Sequence, residues 1–186
     1  EIHERLVGSE MCIRDRFQAV PKGERMEYVI QKAVELGATE IVPVEMKRCV
    51  VKLDRKKAEK KAERWQTIAL GAAKQSKRMQ IPTVHTPVTF QQALAMMAES
   101  DVRLMPYENA EGMEGTRRIL ESIKPGESIA VLIGPEGGID EVEVEMAMKA
   151  KVEPITLGKR ILRTETAGMT VLSILVYLLE GRERTR

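Results

Sequence analysis

Residues 129–138 read IAVLIGPEGG, and this stretch decides the fold class. Its first half, Ile129 to Ile133, is a continuous apolar run typical of a strand covered on both faces of a sheet. Its second half is a loop in which three glycines allow a ligand to approach the backbone closely, while a proline stiffens the chain. A tight turn without a ligand is the alternative interpretation. A buried parallel strand is a feature of α/β domains.

Helical and extended segments alternate on both sides of this run. Apolar residues recur at helical spacing from Met26 to Leu36, and Gly37 supplies a stop. Outside the central run the sequence further predicts strands at 39–44, 83–85, 102–105 and 154–157, and helices at 54–77, 90–99, 113–123, 140–150 and 164–180. Strands separated by helices of this length indicate one main α/β domain with a parallel sheet flanked by helices.

Three loops are candidate binding sites because ligands of open parallel sheets bind beyond the carboxyl ends of the strands. They follow Met105, Ile133 and Leu157. The middle loop lacks the Lys-Ser or Lys-Thr that completes a P-loop, and the chain has no G-x-G-x-x-G for a dinucleotide. A phosphate cradle without either motif is a further alternative for the middle loop.

The third loop places charged residues directly before an apolar helix. Residues 157–168 read LGKRILRTETAG. Helix capping by Thr164, with Glu165 near the positive end of the helix dipole, explains these two residues. Capping leaves Arg160 and Arg163 unexplained, so the loop stays a candidate site.

The composition of the 186 residues disfavours several classes of protein. The longest apolar stretch, Met169 to Leu179, is shorter than the roughly 20 residues that span a bilayer, and no charged-then-apolar leader opens the chain. We therefore expect a cytoplasmic protein without a membrane partner. Cys12 and Cys49 fit neither a metal-ligand spacing nor a disulfide framework, so we expect reduced thiols.

Histidine chemistry and overall charge are also informative. Only His3 and His85 are present, so a Ser-His-Asp arrangement or a histidine metal site is disfavoured, and we expect no metal. The formal net charge is +2, yet residues 47–78 contain twelve basic and three acidic residues. This basic stretch is either a solvated helix face or a contact for the RNA backbone.

Two motifs in register resemble the signature of the RsmE-type SPOUT methyltransferases, which methylate N3 of a uridine in bacterial 16S ribosomal RNA. They are GPEGG at 134–138 and LGxRILRTETA at 157–167. Further matches occur upstream in the family's order: Lys22-Gly23-x-Arg25-Met26-Glu27, Gln31-Lys32-Ala33, Glu35-Leu36-Gly37, Arg64-Trp65, Gln75-Ser76 and Ile81-Pro82. The resemblance covers about Phe17 to Gly181.

This resemblance implies a SPOUT-type sheet whose C-terminal segment forms a deep trefoil knot, with S-adenosyl-L-methionine as cofactor. It implies rRNA processing of the small ribosomal subunit and a homodimer that packs knot against knot. The apolar helix 164–180 agrees with a shared interface, where we expect a charge at Leu175 to disrupt the dimer. The implied cofactor contacts are Pro106, Tyr107, Glu108, Ile133, Gly134, Pro135, Glu136, Gly137, Gly138, Leu157, Gly158, Arg160, Ile161, Leu162, Arg163 and Thr164.

Methylation of uracil N3 requires removal of the proton that N3 carries. We expect Glu136 or Glu165 to accept this proton, and Arg163 to stabilise the negative charge that spreads onto the uracil carbonyl oxygens. Either glutamate could instead hold the cofactor, and Arg163 could position a phosphate or the methionine carboxylate. The rival functions are a knotted methyltransferase for a ribose 2′-hydroxyl or transfer RNA, and a non-catalytic RNA-binding or assembly factor.

The first residues of the chain depart from the family. Residues 1–16 show no periodicity, so we set them aside as a tail or artefact and assign 17–186 to the methyltransferase domain. Family members begin with a small RNA-gripping β-barrel of the PUA-like kind. Here we expect only its exit, Phe17 to Val20, to remain.

Overall fold

The computed structural model describes residues 14–110 and 112–180, and its centre is a parallel sheet. The strands are β1 (Arg14–Ala19), β2 (Glu40–Glu45), β3 (Thr83–Val84), β4 (Val88–Thr89), β5 (Val102–Pro106), β6 (Ile129–Ile133) and β7 (Glu153–Ile155). Their order is β3-β2-β1-β6-β5-β7, and β4 also pairs with β2. All pairings are parallel. The predicted parallel α/β fold is confirmed.

Within the described part of the chain five helices connect strands, and a sixth follows β7. They are α1 (Arg25–Glu35), α2 (Arg55–Gln75), α3 (Phe90–Met97), α4 (Met113–Ser122), α5 (Glu141–Lys149) and α6 (Thr164–Glu180). Local sequence sets several starts: the Asp54 side chain accepts from the amide of Lys57, and Thr89 forms a capping box with Gln92. The predicted stop after α1 holds, since Gly37 adopts a positive φ of 83°.

The helices form a layer on each face of the sheet. On one face, α3 and α5 pack over the strand residues Phe17, Val44 and Leu132. On the other face, α1 and α2 bury Trp65 and their alanines against β2, while α4 and α6 cover β5, β6 and β7. The α6 helix leaves the β7 side of the sheet and packs against α1 as well as β6. This places the start of α6 beside the carboxyl ends of the strands.

The sequence interpretation of the first residues needs correction. Strand β1 begins at Arg14, so the expected domain boundary after Arg16 falls inside a strand. Phe17 to Val20 is not the exit of a barrel, because β1 lies in the middle of the sheet between β2 and β6. The prediction of a tail therefore stands only for residues 1–13, which lie outside the described residues.

The apolar α6 helix packs its inner face into the core of the chain. Its inner face, which includes Leu172 and Leu175, is fully buried within the chain. Leu175 is therefore a core residue, and a charge there would disrupt folding rather than report on a dimer. Tyr177 remains 81% exposed on the outer face. No helix among the described residues is long and apolar enough to cross a membrane.

Candidate active site

The three candidate loops lie together at the carboxyl edge of the sheet. Strand β5 is the neighbour of both β6 and β7, so the ends of all three strands are adjacent. The amide of Tyr107 donates to the carbonyl of Ile155 at 2.9 Å, which joins the loop after β5 to the end of β7. The structure thus brings the predicted segments 106–108, 133–138 and 157–164 into one region.

A buried hydrogen-bond chain fixes the start of α6 to the glycine-rich loop. The Thr164 hydroxyl donates to the carbonyl of Gly134 at 2.7 Å and accepts from the Gln18 side-chain amide at 2.8 Å. Thr164 and Gln18 are both buried. The capping interpretation of Thr164 is therefore wrong, since its hydroxyl links β1, the 134–138 loop and α6.

The glycines of the 134–138 loop serve close packing and a turn. A Cβ at Gly134 would come within 2.5 Å of Ile139, and Gly138 has a positive φ of 74° where its amide closes a turn onto the Pro135 carbonyl. Arg48 lies against the same loop and donates to the Gly137 carbonyl at 3.1 Å. Contacts within the chain therefore hold this loop in its conformation.

Glu136 is held by the loop that follows β1. One of its oxygens, Oε1, accepts from the backbone amide of Lys22 at 3.0 Å and from Arg25 Nη1 at 3.1 Å. Both bonds tie the glycine-rich loop to the chain at the start of α1. The contacts of Glu136 are those of a residue that positions a loop.

Glu165 is in a different environment, in the first turn of α6. Its Oε2 atom is buried and has no hydrogen-bond partner among the described residues. The nearby Arg16 guanidinium is fully buried; burial lowers the pKa of Arg16 to about 9, and the Glu165 charge opposes that shift. An unpaired buried carboxylate oxygen is costly unless a ligand or water completes it.

The segment before α6 is open to solvent and to a ligand. Arg160, Ile161 and Arg163 are exposed, Ile161 to 86%. Gly158 has a φ of 113°, with no atom within 4 Å of the position a Cβ would take. Within the part of the chain that the structure describes, the backbone groups of residues 159–162 make no hydrogen bond. These peptide groups are free to bind a polar ligand.

The remaining predicted residues line the edge of this region. Tyr107 is half-buried with its hydroxyl 3.3 Å from the Asn109 amide nitrogen, and Glu108 is exposed. Leu157 packs at the margin of the core under α6.

Sequence reasoning missed several residues that build the site. The only sequence signal for Gln18 is that it is a polar residue in a buried strand. Lys22 and Arg25 belong to one of the matched motifs, but the sequence did not indicate their contact with Glu136. No sequence signal pointed to Thr116, whose buried hydroxyl accepts from the Thr156 amide at 2.8 Å and fixes the chain after β7.

Other candidate chemistry lies elsewhere. His85 contacts Glu40 at 2.7 Å on the β3 side of the sheet, far from these loops in strand order. Cys49 is a free, buried thiol, and Cys12 lies outside the described residues. The described residues contain no group of three or more histidine, cysteine, aspartate or glutamate side chains that could hold a metal ion.

Comparison with known proteins gives one consistent family. The model of the RNA methyltransferase domain matches residues 14–176. The ribosomal RNA small subunit methyltransferase E of Bacillus subtilis is 43% identical over 164 residues, which are 87% of this chain and 64% of that protein. The corresponding enzyme of Mesomycoplasma hyopneumoniae is 40% identical and is covered to 65%, so the chain spans less than two thirds of these relatives.

A solved structure agrees with the sequence comparisons. The ribosomal RNA small subunit methyltransferase E of Neisseria gonorrhoeae, crystallised with S-adenosyl methionine, superimposes with a TM-score of 0.77 at 35% identity; the match covers 90% of this chain and 67% of that one. The region that the family model matches, residues 14–176, starts at β1 and includes both loop motifs. This chain therefore belongs to the RNA methyltransferase domain family, as its resemblance to the RsmE-type enzymes predicted.

Proposed function

We propose that this chain uses S-adenosyl-L-methionine to methylate N3 of a specific uridine in the 16S ribosomal RNA of the small ribosomal subunit. The observation that carries the proposal is the meeting of the loops after β5, β6 and β7, joined by the Tyr107–Ile155 and Thr164–Gly134 hydrogen bonds. The relatives named as small-subunit ribosomal RNA methyltransferases are 43% and 40% identical to the chain over the matched residues. A cytoplasmic location follows from such a substrate.

The residues at these loops fit the cofactor's chemistry. When bound, S-adenosyl-L-methionine supplies an electrophilic methyl group on a sulfonium. The free peptide groups at 159–162 offer donors and acceptors to a ligand with polar edges. Gly134 and Gly158 keep the backbone accessible. We assign cofactor binding to segments 106–108, 133–138 and 157–164.

The chain's own groups would then prepare the uracil. We assign proton removal from N3 to Glu165, because its buried Oε2 is unpaired while Glu136 already accepts two hydrogen bonds. Arg163 has an exposed side chain one residue before α6 and would stabilise negative charge on the uracil oxygens. Glu136 would act as a positioning residue through Lys22 and Arg25.

Single-turnover methylation of small ribosomal subunits tests these roles. We expect Glu165→Gln to slow methyl transfer by about 10² to 10⁴-fold with cofactor affinity retained, and Arg163→Ala to slow it by about 10² to 10³-fold at saturating cofactor. Glu136→Gln should weaken cofactor affinity more than the rate. Wild-type rates in the first two variants would refute the assignment.

Cofactor titration and product analysis test the function itself. We expect calorimetry to detect binding of S-adenosyl-L-methionine, and mass spectrometry to identify N3-methyluridine. A 2′-O-methylated nucleoside, or a product only in transfer RNA, would identify the rival knotted enzymes. RNA binding without any methyl transfer would identify an assembly factor.

We also assign the family's trefoil knot to the C-terminal segment. The path from β7 to α6 supports it: the chain passes the 134–138 loop, bonds to it through Thr164, and returns to pack against α1. A threaded segment requires such a crossing of the chain over one of its own loops.

A homodimer through the outer face of α6 completes the proposal. Ile174 is half-buried and Tyr177 is 81% exposed on this face, which leaves apolar surface for a second copy. Light scattering should give twice the chain mass, and Tyr177→Arg should give monomers. The control is Tyr28→Arg, since Tyr28 is 45% exposed on α1. A wild-type monomer, or a Tyr177→Arg dimer, would contradict this interface.

A further inference from the structure

The exposed face of α2 carries a row of basic side chains. Lys56, Lys60, Arg64 and Lys74 lie on this face at helical spacing, and all four are exposed. The opposite face buries Trp65 and four alanines against the core. Packing therefore accounts for one side of α2 and leaves the basic side unexplained.

Three of these four charges are not neutralised by an ion pair with described residues. Among the described residues, Lys56, Lys60 and Lys74 form no ion pair within 4 Å. Arg64 is held by Glu27 of α1 at 2.6 Å, and Arg55 is paired with Glu59. A helix face that is solvated only for solubility ordinarily mixes both signs of charge. The rest of the chain is net acidic, because residues 47–78 carry twelve basic and three acidic residues in a chain of net charge +2.

The basic face begins at the edge of the candidate active site. The loop between β2 and α2 touches the loop after β6, with Arg48 on the Gly137 carbonyl at 3.1 Å and Lys47 on Asp140 at 3.0 Å. A cavity of about 210 Å³ lies between the first turn of α1 and α2; its lining includes the basic Lys60 and Arg64 and also Glu24 and Glu27. The backbone amide of Lys22, next to Gly23, donates to Glu136 of the 134–138 loop at 3.0 Å.

We propose that the N-terminal half of this face, from Lys56 to Arg64, binds the phosphate backbone of the RNA strand that carries the target nucleotide. The inference rests on the proposed function, which makes RNA the substrate. Unpaired lysines are flexible point charges, and phosphates that bind them release counterions whatever the base sequence. The face thus attracts the strand, and the loops at the sheet edge select the base.

Binding of a fluorescent uridine oligonucleotide over about 50 to 200 mM KCl tests this assignment. The Lys56→Ala/Lys60→Ala variant loses two phosphate contacts, so the slope of log K against log salt should become less negative by about 1.4. The matched control is Lys124→Ala/Lys149→Ala, which removes the same charge from exposed lysines that also form no ion pair with described residues. We expect wild-type affinity and slope for the control.

The outcomes separate this inference from the proposed function. An unchanged slope in the α2 variant, an equal loss in the control, or no RNA binding by the wild type overturns the phosphate assignment. Circular dichroism of both variants verifies that these surface changes leave the fold intact. Failure of the wild type to bind S-adenosyl-L-methionine overturns the proposed function alone, because the slope comparison requires no cofactor.

Discussion

Replacing Gly168 by alanine tests how tightly the start of α6 is packed on the sheet. A Cβ at Gly168 would clash with Nη2 and Cζ of the Arg16 side chain. The Arg16 side chain is fully buried and is fixed by bonds to the Gln18 side-chain oxygen from Nε at 3.1 Å and Nη2 at 2.6 Å. It cannot move aside without breaking these bonds.

The expected magnitude follows from opposing effects. Alanine at a helix interior gains about 1 kcal/mol over glycine. Overpacking costs about 1 to 3 kcal/mol, and a buried charge that loses its partners costs about 3 to 5 kcal/mol. We therefore expect Gly168→Ala to lower the free energy of unfolding by about 2 kcal/mol or more.

Urea unfolding followed by circular dichroism measures this loss, and α2 offers the matched control. Gly71 is also a helical glycine, and an added Cβ there meets no atom within 4 Å. Gly71→Ala should raise stability by about 0.5 to 1 kcal/mol. In an Arg16→Ala background the cost of Gly168→Ala should largely vanish. Equal effects of the two alanines in the wild-type background would refute the reasoning.

Two further predictions concern hydrogen bonds. Thr164→Val keeps the side-chain shape but removes the hydroxyl that the Gly134 carbonyl and the Gln18 amide bind. Urea unfolding should therefore show that the free energy of unfolding falls by about 2 to 4 kcal/mol. A decrease below about 0.5 kcal/mol would contradict this prediction. Bonds from the amide and hydroxyl of Ser128 lower the pKa of Asp101 below its usual value of 3.8. Its stabilisation is complete above pH 3.8 and is lost as the pH falls through the lowered pKa, so the Tm advantage over Asp101→Asn should disappear in acid; a pH-independent difference would argue against this bond.

The strands and helices with clear periodicity could be predicted from sequence, and β1 could not. The apolar run 129–133 has the signal of a strand covered on both faces, and the structure buries all five residues. Strand β1 has the same central position, but Arg14, Arg16 and Gln18 interrupt its apolar pattern although all three are buried. The pattern fails because these polar groups are accommodated by tertiary contacts: Arg14 reaches Glu180, and Arg16 contacts Gln18.

The site shows the same division between local and tertiary information. The sequence predicted that the candidate loops follow the carboxyl ends of strands, and these ends lie side by side at one edge of a parallel sheet. The individual roles depended on partners far away in sequence. Glu136 and Glu165 look equivalent as carboxylates in glycine-containing motifs, yet one is anchored by Lys22 and Arg25 and the other has a buried oxygen without a partner.

Gln18 explains why the motifs alone do not specify the site. In the sheet register Gln18 lies opposite Ile133, so its side chain reaches the level at which β6 ends and the glycine-rich loop begins. From there its amide holds the Thr164 hydroxyl, which in turn donates to Gly134. The two motifs that carry the resemblance thus meet in the Thr164–Gly134 bond, and Gln18, which belongs to neither motif, holds the Thr164 hydroxyl in place. The geometry of the loops depends on the central strand, and a change at Gln18 should alter both loops at once.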